Sequence, residues 1–246
     1  MRRVEILAKE WVECEIWKNG ILKEFRVLEG NTISDTAKNV LAKLIAGQST
    51  EIINRMWVKV DGSTYEKTSS NSRPTSPGNI LEVTTSDAWT YTGNYTAVLT
   101  GNYSKGVDDY YNSIALNLNL TSGSELYLTV KWQFTGAESG ENGNAVCASR
   151  LGGIGDNYDH PIGTLRAGKE GVGSTWVYKT ATCSVSNNTL TVTHSDPFSG
   201  PATIDFVEYL TKDVGSPYYK FDKFHGFTIE VDSDQDVYFD AEFVFG

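Results

Sequence analysis

The sequence is poor in the residues that most often carry chemistry. Its 246 residues include only three cysteines and three histidines. Cys14, Cys147 and Cys183 are odd in number and show no CxxC spacing, which argues against both a disulfide framework and a zinc site. They read as free thiols, mostly buried. Long apolar runs are also missing: Val40-Leu41-Ala42 and Ile52-Ile53 fall far short of the roughly 20 residues a membrane helix needs. No membrane partner is expected. The start, Met1 to Glu10, meets acidic residues before an apolar core develops, so no secretory signal is expected. Positive charge is scarce: 21 Lys and Arg face 31 Asp and Glu, a net charge of -10. Phosphate binding needs clustered cations, so nucleic acid is not an expected partner. The excess acid lies toward the C-terminal end, where residues 190–246 hold 3 basic and 11 acidic side chains. A surface of that kind stays solvated and repels like charge.

What is present is a chain that must fold. Hydrophobic residues make up 39% and aromatics 12%, too apolar a mix for disorder. In the segment Glu10 to Trp17, alternation sets Val12, Cys14 and Ile16 on one face and Trp11 and Trp17 on the other. Asn19-Gly20 then precedes a second run, Ile21 to Leu28, and this dipeptide is a strong hairpin signal because both turn residues accept positive φ. Ala37, Val40, Leu41, Leu44 and Ile45 follow at helical spacing, with Thr32 or Ser34 to cap the start and Gly47 to end it. Beyond Gly47 the chain reads as short β-runs at Met56 to Val60, Ile80 to Thr85, Tyr95 to Thr100, Ile114 to Leu120 and Leu126 to Phe134. Thr68 to Gly78 reads as a loop and Gly136 to Gly143 as a linker.

The two sides of that linker are similar in sequence. Asn79 to Trp89 aligns with Asn188 to Phe198, identical at six of eleven positions and closed by an aromatic in each. Tyr110-Tyr111 recurs as Tyr218-Tyr219, and Leu126 to Phe134 recurs in pattern as Val237 to Phe245. The offsets, 109, 108 and 111, are nearly constant. The helix Asn39 to Gly47 has a weaker counterpart in Asn144 to Gly152. These observations predict a mainly β fold: two tandem β-sandwich or jelly-roll-like modules, a hairpin arm and one short amphipathic helix. The arm spans residues 1–30, the first module 31–136, and the second, a degenerate copy, 137–246.

The repeat is an internal control on candidate sites. His194-Ser195-Asp196 has triad residue types, but neighbours on a strand point to opposite faces, and the counterpart is Thr85-Ser86-Asp87. A turn or cap role is favoured. Asp232 to Asp236 begins like a calcium loop yet lacks the Gly and the closing Glu, so it reads as a hairpin tip. Gly163 to Lys169 has phosphate-loop spacing, but Glu170 stands where Ser or Thr must hold magnesium. His160 and His225 have no paired ligand nearby in sequence. No catalytic residue, cofactor or metal is expected. Interface candidates are Trp11, Trp17 and Phe25. Trp89, Tyr91, Tyr95 and Tyr103 lie in an aromatic Gly/Asn/Thr-rich stretch that also holds Tyr110 and Tyr111, and they are candidates for stacking on sugar rings.

The lead Asn31-Thr32-Ile33 into a short helix, the Thr/Ser-rich loop with Arg73, and the closing strands Leu126 to Phe134 and Val237 to Phe245 resemble structural proteins of tailed bacteriophages and related archaeal viruses. The resemblance implies a virion component of head, neck or tail. Such a component works through interfaces with other virion proteins, including copies of itself, and has no catalytic residues. The alternative expectation is a surface adhesin or carbohydrate-binding module that uses the aromatic loops on a host-surface glycan.

Overall fold

The computed structural model describes residues 1–30, 33–74, 78–85, 87–95, 98–104, 106, 109–137, 142–155, 158–211 and 219–246. The fold is mainly β and sandwich-like. Strand β1 (Arg2–Lys18) obeys a period of two along its whole length, with Val4, Ile6, Ala8, Val12, Cys14 and Ile16 buried. Asn19 and Gly20 take φ of 53° and 71°, the turn that the dipeptide dictates, and β2 (Ile21–Glu29) returns antiparallel to β1. Helix α1 (Asp35–Ile45) is capped by Ser34, whose Oγ accepts the Ala37 N–H at 3.1 Å. It buries Ala37, Val40, Leu41, Leu44 and Ile45, and Gly47 at φ 71° closes it.

The first half continues with β3 (Arg55–Val60), β4 (Ser63–Thr68), β5 (Ser70–Ser72), β6 (Ile80–Thr84), β7 (Trp89–Thr90), β8 (Val98–Ser104), β9 (Asp109–Ala115) and β10 (Glu125–Thr135). The second half has α2 (Gly143–Gly152), β11 (Ile162–Lys169), β12 (Thr175–Thr180), β13 (Thr182–Ser186), β14 (Thr189–Thr193), β15 (Phe198–Ser199), β16 (Ala202–Thr211), β17 (Lys220–Val231), β18 (Asp236–Val237) and β19 (Ala241–Phe245). The halves use the same strand orders. Sheet β4-β3-β8-β9 answers to β12-β11-β16-β17, and β5-β6-β10 answers to β13-β14-β19. Registers correspond too: Val83 lies opposite Val130 and Leu81 opposite Trp132, as Val192 lies opposite Ala241 and Leu190 opposite Phe243.

Two features tie the halves together. Strand β1 runs antiparallel to β10 from Leu7 to Trp17 and parallel to β19 from Arg2 to Ile6, which joins both halves into one nine-stranded sheet. The hairpin expected as an arm thus has its first strand threaded through the main sheet. The helices reach across: α1 packs on β9 of its own half and on β13, β14 and β19 of the second, while α2 packs on β17 of its own half and on β6 and β10 of the first. Arg150 of α2 caps α1 by donating from Nε and Nη2 to the Leu44 carbonyl at 3.1 and 2.8 Å. The core between sheet and helices holds Trp132, Phe134, Phe243 and Phe245, each fully buried and contributing ~1.5–3 kcal/mol.

Several local expectations change. There are two helices among the described residues. The second has no side-chain cap and ends on Gly153 in the left-handed region. Tyr95 makes only an isolated bridge to Leu120, and β8 begins at Val98. Residues 116–119 leave the ladder after β9, although Leu116, Leu118 and Leu120 stay buried in alternation. The Thr68 to Gly78 loop contains β5, and the phosphate-loop-like Gly163 to Lys169 is strand β11, paired on both edges.

Candidate functional site

Two surfaces stand out. The first is the outer face of the hairpin. On β1 the positions facing away from the core include Leu7, Trp11, Glu13, Glu15 and Trp17. Trp11 and Trp17 are half-buried there, and the Trp17 indole N–H donates to Glu15 at 2.8 Å. Opposite Glu13 and Glu15 stand Val27 and Phe25 of β2, 54% and 53% exposed. Leu22, opposite Trp17 beyond a β-bulge, extends this apolar strip, and Tyr127 of β10 flanks it. Strand β2 therefore reverses the usual arrangement. Phe25 and Val27 face outward, while Glu24 and Arg26, paired with each other, lie on the inward side with Leu28, and Arg26 reaches toward the Asn117 carbonyl. Sheets with one solvated face normally place the apolar set inside. Lys131 of β10 holds Glu13 at 2.8 Å and Glu82 at 3.5 Å beside the strip, and the two carboxylates outweigh desolvation to raise its pKa.

The second surface is a pocket of about 620 Å³ between β4 and the segment 88–95. Its lining includes Tyr65, Glu66, Lys67, Trp89, Tyr91 and Tyr95. Trp89 is buried, its indole N–H donating to the Tyr65 carbonyl at 3.2 Å. Lys67 donates to the Ala88 carbonyl at 2.6 Å and lies 5.6 Å from the centre of the Trp89 ring. Tyr91 and Tyr95 meet edge to face at 5.5 Å. The Tyr91 hydroxyl is buried without a hydrogen-bond partner among the described residues, and desolvation, reinforced by the neighbouring Tyr65 and Tyr95, raises its pKa.

No protein-family model matches the chain, and no curated protein or solved structure matches it. The site is read from its geometry.

That geometry brings Trp89, Tyr91 and Tyr95 together, but as wall and floor. The ring open to a ligand is Tyr65, 52% exposed, which sequence reasoning missed. Tyr103 sits on β8 opposite Arg55, and its side chain lies outside the described residues, as does that of Tyr110. His194 is a buried structural group: its Nδ1 lies 2.8 Å from the Asp196 carbonyl, and its Nε2 accepts the Phe239 N–H at 2.9 Å. That pair of bonds fixes the neutral tautomer with the proton on Nδ1. Asp232 to Gln235 form a turn closed by the Gln235 N–H on the Asp232 carbonyl. Among the described residues no group of three or more His, Cys, Asp or Glu is placed to hold a metal ion, and no helix is long and apolar enough to cross a membrane. The three cysteines are free, and burial raises the Cys183 thiol to about 11 and Cys14 to about 12. Neither is poised as a thiolate nucleophile.

Proposed function

We propose that this chain is a non-enzymatic structural protein that builds an assembly through its N-terminal hairpin, in the manner of a virion component. The observation that carries the reading is the reversed strand β2. Its apolar side faces outward, and among the described residues it pairs only with β1, which leaves its other edge free to extend the sheet. The partner is a second copy of the same chain. Two β2 strands placed antiparallel about Phe25 would set Glu24 of each copy opposite Arg26 of the other. Both charge pairs are then complementary, so the register is self-selecting in a two-fold interface.

Light scattering over a range of concentrations tests the reading. The native chain is expected at twice the monomer mass or more, and Phe25→Lys with Val27→Asp is expected at the monomer mass with an unchanged melting curve. A Phe25→Cys variant is expected to cross-link to itself under mild oxidation, because the residue would face its own copy across the axis. A monomeric native chain, or an assembly unaffected by the double substitution, would overturn the proposal. For the virion itself the measurement is protein mass spectrometry of purified particles, in which many copies of the chain are expected.

A further inference from the structure

The aromatic pocket has a counterpart in the other half, and comparing the two separates framework from specialisation. The second pocket, about 220 Å³, is lined by Trp176, Val177, Lys179, Phe198 and Ser199 among others. Lys179 lies 5.8 Å from the centre of the Phe198 ring, as Lys67 lies over Trp89. A lysine over the aromatic residue that opens the short strand is therefore shared, and it braces β4 and β12 against β7 and β15. What differs comes next in the chain. After Trp89-Thr90 the first half supplies Tyr91 and Tyr95, whereas after Phe198-Ser199 the second supplies Gly200-Pro201. The first pocket is nearly three times larger, has four aromatic residues in its lining, and holds a tyrosine, 6% exposed, whose hydroxyl has no partner among the described residues.

From this difference we infer that the pocket between β4 and residues 88–95 binds a single neutral pyranose unit of a glycan. A pyranose has one face of C–H groups and a rim of hydroxyls. The pocket offers both complements: the exposed ring of Tyr65 and the half-buried ring of Tyr95 for the C–H face, and the Tyr91 hydroxyl and Thr92 for the rim. The electrostatics favour a neutral sugar over an acidic one. Among the described residues Lys67 is the one cation in the lining, and its ammonium is committed to the Ala88 carbonyl and the Trp89 ring, so an acidic sugar finds no ion-pair partner there. The inference is independent of assembly through β2, since β4 and β2 lie in different sheets.

The test uses the full chain with the methyl glycosides of glucose, galactose and mannose as probes, read by saturation-transfer NMR and then by titration. Transfer concentrated on the C–H protons of one sugar face is expected for at least one glycoside. Tyr65→Ala and Tyr95→Ala should each weaken its binding at least tenfold, and Trp176→Ala, in the second pocket, should leave it unchanged. Tyr65 is exposed on an edge strand, so its removal leaves the fold intact, and the melting curve of each variant checks this. Absence of transfer from all three glycosides would overturn the inference. So would binding that survives Tyr65→Ala, or a preference for N-acetylneuraminic acid over the neutral sugars.

Discussion

Glu10 offers the sharpest test of how this core is built. It occupies an inward position of β1 between Ala8 and Val12, only 1% exposed, and neither carboxyl oxygen has a hydrogen-bond partner among the described residues. Trp132 stands directly opposite on β10. Its indole pulls the pKa down, but desolvation dominates and raises it from 4.5 to about 8. Between those two values the folded chain keeps a proton that the unfolded chain has released. The stability linked to this proton is therefore fully present below pH 4.5, declines as the pH rises, and is gone once the pH passes about 8. At ~1.4 kcal/mol per pH unit the loss across that window has a ceiling of ~5 kcal/mol, a large share of the 5–15 kcal/mol typical of a domain. Glu10→Gln keeps the shape of the neutral carboxyl and cannot ionise. Urea unfolding of both proteins from pH 5 to pH 9 is expected to show the variant gaining on the native chain by several kcal/mol as the pH rises. A difference between the two that stays constant over this range would refute the reasoning, because it would mean that the native carboxyl does not change its charge state there.

Two further substitutions probe buried polar contacts. Arg2 reaches from β1 to the fully buried Asp222 of β17 at 3.0 Å, so Arg2→Ala is expected to cost ~3–5 kcal/mol in chemical denaturation, and Asp222→Asn in the same background should recover part of it. His194→Ala removes both an acceptor for the Phe239 N–H and a donor to the Asp196 carbonyl, and a loss of ~2–3 kcal/mol in thermal unfolding is expected.

Local features were legible in the sequence because local chemistry determines them. Alternation in β1, the Asn19-Gly20 turn and the Ser34-capped helix all depend on residues within a few positions of one another. The close correspondence between Asn79 to Trp89 and Asn188 to Phe198 reappears as matching strands with matching registers. The parts that were not legible depend on partners distant in the chain. Nothing local to β1 distinguishes a strand that stands off the body from one that crosses it, since both show a period of two. Nothing in α1 shows that its apolar face meets β14 instead of β6. In the pocket, Tyr65 escaped notice because β4 is exposed on nearly all its length and carries no alternation to mark a face. Trp89, a large aromatic in a polar stretch, carries no local sign of its burial, because Lys67, which lies over its ring, is distant in the chain.

The helices that reach across and the single threaded strand together constrain how the chain can be divided. If the two halves were separate molecules, each would keep a helix on its four-stranded sheet and lose the one that covers its share of the nine-stranded sheet. A pair of identical halves could exchange helices in that way and satisfy both. It could not supply β1, because β1 is antiparallel to one closing strand and parallel to the other, and a symmetric pair would present two such strands for one slot. The asymmetry of that strand therefore excludes a symmetric pair of identical halves. The β1–β2 hairpin, and with it the β2 edge, is displayed once per chain although the two halves share their strand orders.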